Sequence, residues 1–254
     1  MSTRRNWTRE EIMLAFVLYC VIPSGQDTTN NPLIRHLANA IGRTPNSVNM
    51  KLQNFKSFDP SYTKDGRKGL SHGSRLDKEV CEEFIDRWDD LVVKACEIKR
   101  KLGLSIGNEV EESIERIFVG KDVESTTRHR IGQSFFRRTL LASYNGKCCI
   151  TGINTHSLLR ASHIKPWIKS NDVNEKANPQ NGILLNALHD AAFDKGLITI
   201  TTTYKLIVSK LLLLDENWST DFFLKYNNLE IRKPNKFMPA RDFIEYHNDV
   251  VFKG

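Results

Sequence analysis

The sequence predicts an α+β protein in which two basic domains flank an acidic helical connector. Three observations carry this. Apolar residues recur at helical spacing through residues 7–20, 32–41, 44–56 and 77–101, and from residue 130 the pattern gives way to short apolar runs divided by turns. Charge also alternates along the chain. Lys and Arg outnumber Asp and Glu by 11 to 5 over residues 1–75, are outnumbered 14 to 8 over residues 76–125, and lead by 18 to 11 over residues 126–254. The net charge is +7, and basic blocks at both ends point to a polyanionic partner, because Lys and Arg gain affinity by neutralising phosphates.

The first helix is expected over residues 7–20, where Thr8 and Glu11 have capping-box spacing ahead of Ile12, Leu14, Ala15, Val17 and Leu18. Pro23-Ser24-Gly25 ends it. A second helix over 32–41 has Leu33, Ile34, Leu37, Ala38 and Ile41 on one side, with Gly42 at its C-terminal cap. Thr44-Pro45 then opens a third, in which Val48, Leu52 and Phe55 share one side. Its other face shows Asn46, Ser47, Asn49, Lys51, Gln53, Asn54 and Lys56.

Helix, short turn and a helix rich in Asn, Gln and Lys is the pattern of a helix-turn-helix, since Asn and Gln pair with adenine edges and Lys reaches guanine or phosphate. A plain three-helix bundle with a solvated face is the alternative. The segment Tyr62–Gly69 is a candidate basic wing. Residues 77–101 are expected as one helical stretch with Val80, Phe84, Trp88, Leu91, Val92 and Cys96 as its stripe, followed by an acidic helix over 108–118 and an exposed linker from Lys121 to Thr127.

A helix containing Phe135, Phe136, Leu140 and Leu141 leads into the rest of the chain. Tyr144–Lys147 is read as a hairpin-like turn, Cys148-Cys149-Ile150 as a strand, and Leu158–Ala161 as a second strand ending in Ser162-His163. A polar loop reaches Asn181-Gly182. Residues 183–194 then give a short strand and a helix, and Leu197–Ile200 with Lys205–Val208 make a hairpin. Trp218, Phe222, Phe223 and Tyr226 indicate a packed C-terminal element.

His163 precedes His189 by 26 residues, with Asn181 between them. The ordered string Cys148–Gly152, Ala161-Ser162-His163-Ile164-Lys165-Pro166-Trp167, Asn181-Gly182 and Leu188–Asp194 resembles HNH endonucleases of the ββα-metal class, over about residues 130–200. The resemblance implies phosphodiester hydrolysis with one divalent ion, magnesium or manganese. In that role His163 is the general base, because imidazole takes a proton from water near neutral pH. By the same resemblance His189 is a metal ligand and Asn181 fixes the loop that aims His163. Arg160 and Lys165 are placed to bind substrate phosphates.

Many such sites carry Asp or His immediately before the base. Here that position is Ser162, a poor ligand for a hard cation, so the carboxylate is sought on the helix at Asp190 or Asp194. Cys20, Cys81, Cys96, Cys148 and Cys149 form no Cys-x-x-Cys pair, which argues against a disulfide framework and a four-cysteine zinc site.

The domains expected are a helix-turn-helix over 1–75, with Tyr62–Gly69 as its candidate wing, a helical connector over 76–125 and an HNH domain over 126–254. The partner expected is double-stranded DNA. The architecture resembles modification-dependent restriction enzymes, which cut DNA carrying 5-methyl- or 5-hydroxymethylcytosine. A homodimer is expected if both strands are cut. A regulator with an inactive HNH domain, or a defence nuclease triggered by a partner, stands as the alternative. No apolar run reaches the roughly 20 residues that cross a bilayer, and no secretory signal is read behind Ser2–Trp7, so the cytoplasm is the expected compartment.

Overall fold

The computed structural model describes residues 5–63, 70, 73–103, 123–213 and 218–254. The architecture is α+β, and the chain divides into two compact units. Residues 1–138 with 172–178 form the first, and 139–171 with 179–254 form the second. Among the described residues no helix is long and apolar enough to cross a membrane.

The first unit is helical. α1 (Arg9–Val21) starts in the expected capping box: Thr8 Oγ1 accepts from the Glu11 N–H at 3.2 Å and the Glu11 carboxylate accepts from the Thr8 N–H at 3.0 Å. α2 (Pro32–Ala40) and α3 (Pro45–Lys56) are capped by Asn31 and Thr44, each followed by proline in the first turn. Between them Gly42 takes φ +64° and lets the Arg43 N–H reach the Ala38 carbonyl at 2.8 Å. α1 is buried nearly all round, because α2, α3, α5 (Arg75–Phe84) and α6 (Trp88–Lys101) all pack on it; α4 (Pro60–Thr63) is a single turn. Phe16, Tyr19, Phe55 and Trp88 form its aromatic centre, with ring centroids 5.2–6.4 Å apart.

The stretch expected as one helix over 77–101 breaks between Phe84 and Trp88, with Arg87 out of helical conformation (φ −144°, ψ 48°). Trp88 is fully buried and stacks on both Phe16 and Phe135, and a straight helix could not return the whole stripe to α1. Asp89 and Asp90 favour the new start by facing a helix N-terminus. The linker expected from Lys121 to Thr127 is helical from Val123, where α7 (Val123–Ser143) begins. The wing residues 64–69 and the acidic helix over 108–118 lie outside the described residues.

In the second unit, α7 ends at a left-handed turn rather than a hairpin. Asn145 and Gly146 have φ +51° and +65°, and the Gly146 N–H bonds the Leu141 carbonyl at 2.7 Å. Cys148–Ile150 is not a strand. The Gly152 N–H reaches back to the Cys148 carbonyl at 2.9 Å, so the chain turns before a ladder can extend, although the Cys149 N–H still bonds the Leu184 carbonyl.

β1 (Leu159–His163) pairs antiparallel with β2 (Gly182–Asn186) in a register that sets His163 opposite Gly182 and Ser162 opposite Ile183. α8 (Ala187–Asp194) packs on both strands. β3 (Ile198–Ile200) and β4 (Leu206–Val208) make the second hairpin, and α9 (Trp218–Leu224) and α10 (Arg241–Tyr246) follow. The close of the chain returns to the end of α8, where the Lys253 N–H bonds the Gly196 carbonyl at 2.9 Å.

Candidate active site

The site is built on β1, the loop after it and α8. His163 ends β1 half-buried, with the Trp167 ring edge-on at 5.3 Å. Asn181 is completely buried and clamps the loop that follows. Its Oδ1 accepts from the Lys165 N–H at 2.8 Å, its Nδ2 donates to Ser170 Oγ at 3.2 Å and to the Lys165 carbonyl at 3.3 Å, and its backbone carbonyl accepts from Ile164 at 3.0 Å. Four bonds from one asparagine therefore fix both sides of the chain just beyond His163. Buried amides held this fully cost 1–3 kcal/mol per group when left unpaired, which makes the loop stiff.

On α8, Asp190 and Asp194 stand one turn apart on the same face, as an i, i+4 pair does. Desolvation raises both carboxyls. For Asp194 the Asp190 charge adds to this and pushes it up to about 6, while the Ser162 hydroxyl and the Arg160 charge, both from β1, draw Asp190 back down. Two neighbouring carboxyls whose pKa values are both raised are a place where a cation lowers the energy.

His189 lies elsewhere. It is fully buried, its ring 5.1 Å from Phe222, 5.1 Å from Phe223 and 5.6 Å from Tyr226 on and beyond α9, and burial followed by the Lys225 charge lowers it to about 4. The residues proposed from the sequence as metal ligands, His189, Asp194 and Ser162, are thus divided. Ser162 adjoins Asp190, the partner of Asp194, whereas His189 faces an aromatic pack. Among the described residues no group of three or more His, Cys, Asp or Glu is arranged to hold a metal ion. A magnesium-type cation is held by as few as one or two carboxylates with water and phosphate completing its shell, so Asp190 and Asp194 fit one.

Arg160 is exposed, its guanidinium donating to the Ser157 and Leu159 carbonyls at 2.9 and 3.0 Å. Lys165 Nζ stands 5.3 Å from the Tyr246 ring centre.

In the first unit the residues expected on the open face of α3 separate into two groups. Asn46 and Met50 are exposed, and Ser47 and Asn49 are half-buried. Lys51 is buried in an ion pair with Asp77 at 2.7 Å and lies over the Trp7 ring, so it leaves that face. Gln53 donates to Asp27 at 2.7 Å, Lys56 pairs with the same carboxylate, and Asn54 reaches Asp77 at 3.4 Å.

Asn186 was not singled out in the sequence, although an asparagine three residues before a helical histidine has N-cap spacing. It caps α8 and contacts His189, Thr151 and Cys148.

Residues 148–201 match the family model described as HNH endonuclease, a stretch that holds β1, the clamped loop, β2 and α8. No curated protein matches the chain.

Proposed function

We propose that the second unit is a divalent-metal-dependent DNA endonuclease with His163 as general base, Asn181 as the residue that aims it, and Asp190 with Asp194 as the carboxylates that hold the ion. The observation that carries this reading is the Asn181 clamp, which fixes the backbone after His163 by four hydrogen bonds inside the stretch that matches the HNH endonucleases. His163 takes a proton from water at its imidazole as the water attacks phosphorus. Arg160 and Lys165 bind the flanking phosphates and orient the scissile bond. Bound magnesium or manganese supplies neutralisation of the charge that builds on the phosphate and on the leaving 3′ oxygen. His189, buried and neutral, supports the helix from behind.

One base and one ion cut one strand, so the reading takes double-strand cleavage to need a homodimer. Light scattering on and off DNA checks this: a protein that stays monomeric while making double-strand breaks removes the dimer. Asn46, Ser47, Asn49 and Met50 on α3 are the surface proposed to meet DNA in the first unit. Direction toward modified cytosine is proposed from the architecture alone.

One plasmid prepared unmodified, 5-methylcytosine-modified and 5-hydroxymethylcytosine-modified tests these layers together, with either metal and a His163→Ala control. Cutting confined to modified DNA and lost in the control supports the whole reading. Equal cutting of all three keeps the nuclease and discards the modification. Tight binding with no cutting discards the nuclease. A second reading, a nuclease triggered by a protein partner, is favoured by one observation: the basic residues of α1–α3 are engaged within their own unit.

A further inference from the structure

Asn186 has all four hydrogen-bonding positions of its side chain in use. Oδ1 accepts from the backbone N–H groups of Leu188 at 3.1 Å and His189 at 3.0 Å. Those two donors fix which end of the amide is oxygen. Nδ2 then lies 2.9 Å from His189 Nδ1 and 3.2 Å from Thr151 Oγ1, with Cys148 Sγ at 3.7 Å. The Cys148 sulfur also accepts from the Asn186 N–H at 3.3 Å and the Thr151 N–H at 3.5 Å. A turn before β1 and the start of α8 are in this way joined through one side chain.

An amide has two donors and two acceptor lone pairs, and no other side chain of this length has both. Because Nδ2 only donates, His189 Nδ1 accepts. Oδ1 is farther from Nδ1, at 3.3 Å, and is already filled by the two backbone groups. The ring proton therefore sits on Nε2, which is buried beside the rings of Phe222 and Phe223 with no hydrogen-bond partner among the described residues.

Resting on the nuclease reading, we infer that Asn186 is a positioning residue of the site. By capping α8, holding His189 in the Nε2–H form and pinning the helix to the Cys148–Gly152 turn, it sets the rotation of α8 about its axis. That rotation decides how Asp190 and Asp194, one and two turns along, present their carboxylates. Asn186→Ser separates the roles, since serine still caps a helix and adds no charge but lacks both amide donors. Asn186→Asp keeps the shape and both acceptors and serves if the serine variant fails to fold.

The test is made on the full chain, with manganese as the probe. The imidazole nitrogen shifts of His189 give the tautomer without metal, calorimetry gives the manganese dissociation constant, and plasmid nicking gives the rate. Expected are the Nε2–H tautomer in the wild type and, in Asn186→Ser, a changed ring signal with manganese binding weakened at least fivefold. A role confined to stability would lower the melting temperature and leave both unchanged. The Nδ1–H tautomer in the wild type, or unaltered manganese binding in a folded variant, overturns the inference while leaving the nuclease intact. A wild type that neither binds manganese nor nicks DNA overturns the nuclease reading and this inference with it.

Discussion

The α1–α3 part of the first unit and the second unit hold their positive charge differently. In the first, Arg5 and Arg43 both pair with Glu11, Arg9 with Glu83, Lys51 with Asp77 and Lys56 with Asp27. In the second, Lys147, Arg160, Lys169, Lys195, Lys205 and Arg232 are exposed and outside any ion pair among the described residues. Both segments lead in basic residues when counted along the sequence. The difference teaches that a surplus of Lys and Arg measures attraction for phosphate only after the internal pairs are removed. By that measure α1–α3 offer little open charge, whereas Lys94, Arg100, Lys101 and Arg130 of the same unit and the six residues of the second are exposed and outside any ion pair among the described residues.

The comparison is broken most directly at its catalytic end. His163→Ala is expected to reduce cleavage by about 10²–10⁴-fold with secondary structure intact, the usual contribution of a positioned general base; gel quantification of nicked plasmid and circular dichroism read both. In the first unit the largest effect falls on stability instead. Lys51→Met leaves the fully buried Asp77 carboxylate uncompensated and is expected to cost about 3–5 kcal/mol in urea unfolding. DNA affinity at low temperature should not change, and a loss of affinity with no loss of stability would place Lys51 on the DNA.

Acid should act on the second unit through its buried histidines. Burial lowers both His189 and His247 from 6.5 to about 4, so between those values the unfolded chain binds more protons. Stability from each is complete above about pH 6.5 and is lost as pH falls toward 4, to the extent of roughly 3 kcal/mol apiece. The raised Asp194 carboxyl runs the other way, favouring the folded form as pH drops below about 6, and offsets part of the loss. Urea unfolding of the protein at pH 7.5 and pH 4.5 checks the sign, and a larger unfolding free energy at the lower pH would contradict it.

Smaller again is the salt effect. Replacing Arg160 and Lys165 by alanine should lower the slope of log affinity against log salt by about 2, one for each phosphate contact, whereas Arg9→Ala with Lys56→Ala should leave it unchanged. Equal changes from the two pairs would erase the distinction between the units. Smallest is Thr8→Ala, which removes the α1 cap and should lower stability by about 1 kcal/mol without touching cleavage.

The legible parts of the molecule were those governed by local rules. The caps at Thr8 and Thr44, the glycine at position 42, and the order of β1, β2 and α8 follow from spacing and turn chemistry over a few residues. What spacing missed depends on partners far along the chain. The break before Trp88 exists because Phe16 and Phe135 receive its ring, and the loss of Lys51 from the open face of α3 requires Asp77.

At the site, the order of His163, Asn181 and His189 is legible in the sequence, but the direction in which the His189 ring faces is not. It is set by the aromatic residues at 222, 223 and 226, which no motif ties to the helix. Asn186 escaped notice for the same reason, since its meaning lies in meeting Thr151 and Cys148 across the unit.

The central claim is that the carboxylates of α8, and not His189, hold the ion that cleavage needs. Its most direct measurement is the nicking of supercoiled plasmid as manganese is titrated against the wild type and Asp194→Asn. The account predicts nicking that requires added metal, with at least a tenfold higher half-saturating concentration in the variant. Nicking without added metal, or the same metal dependence in both proteins, would contradict it.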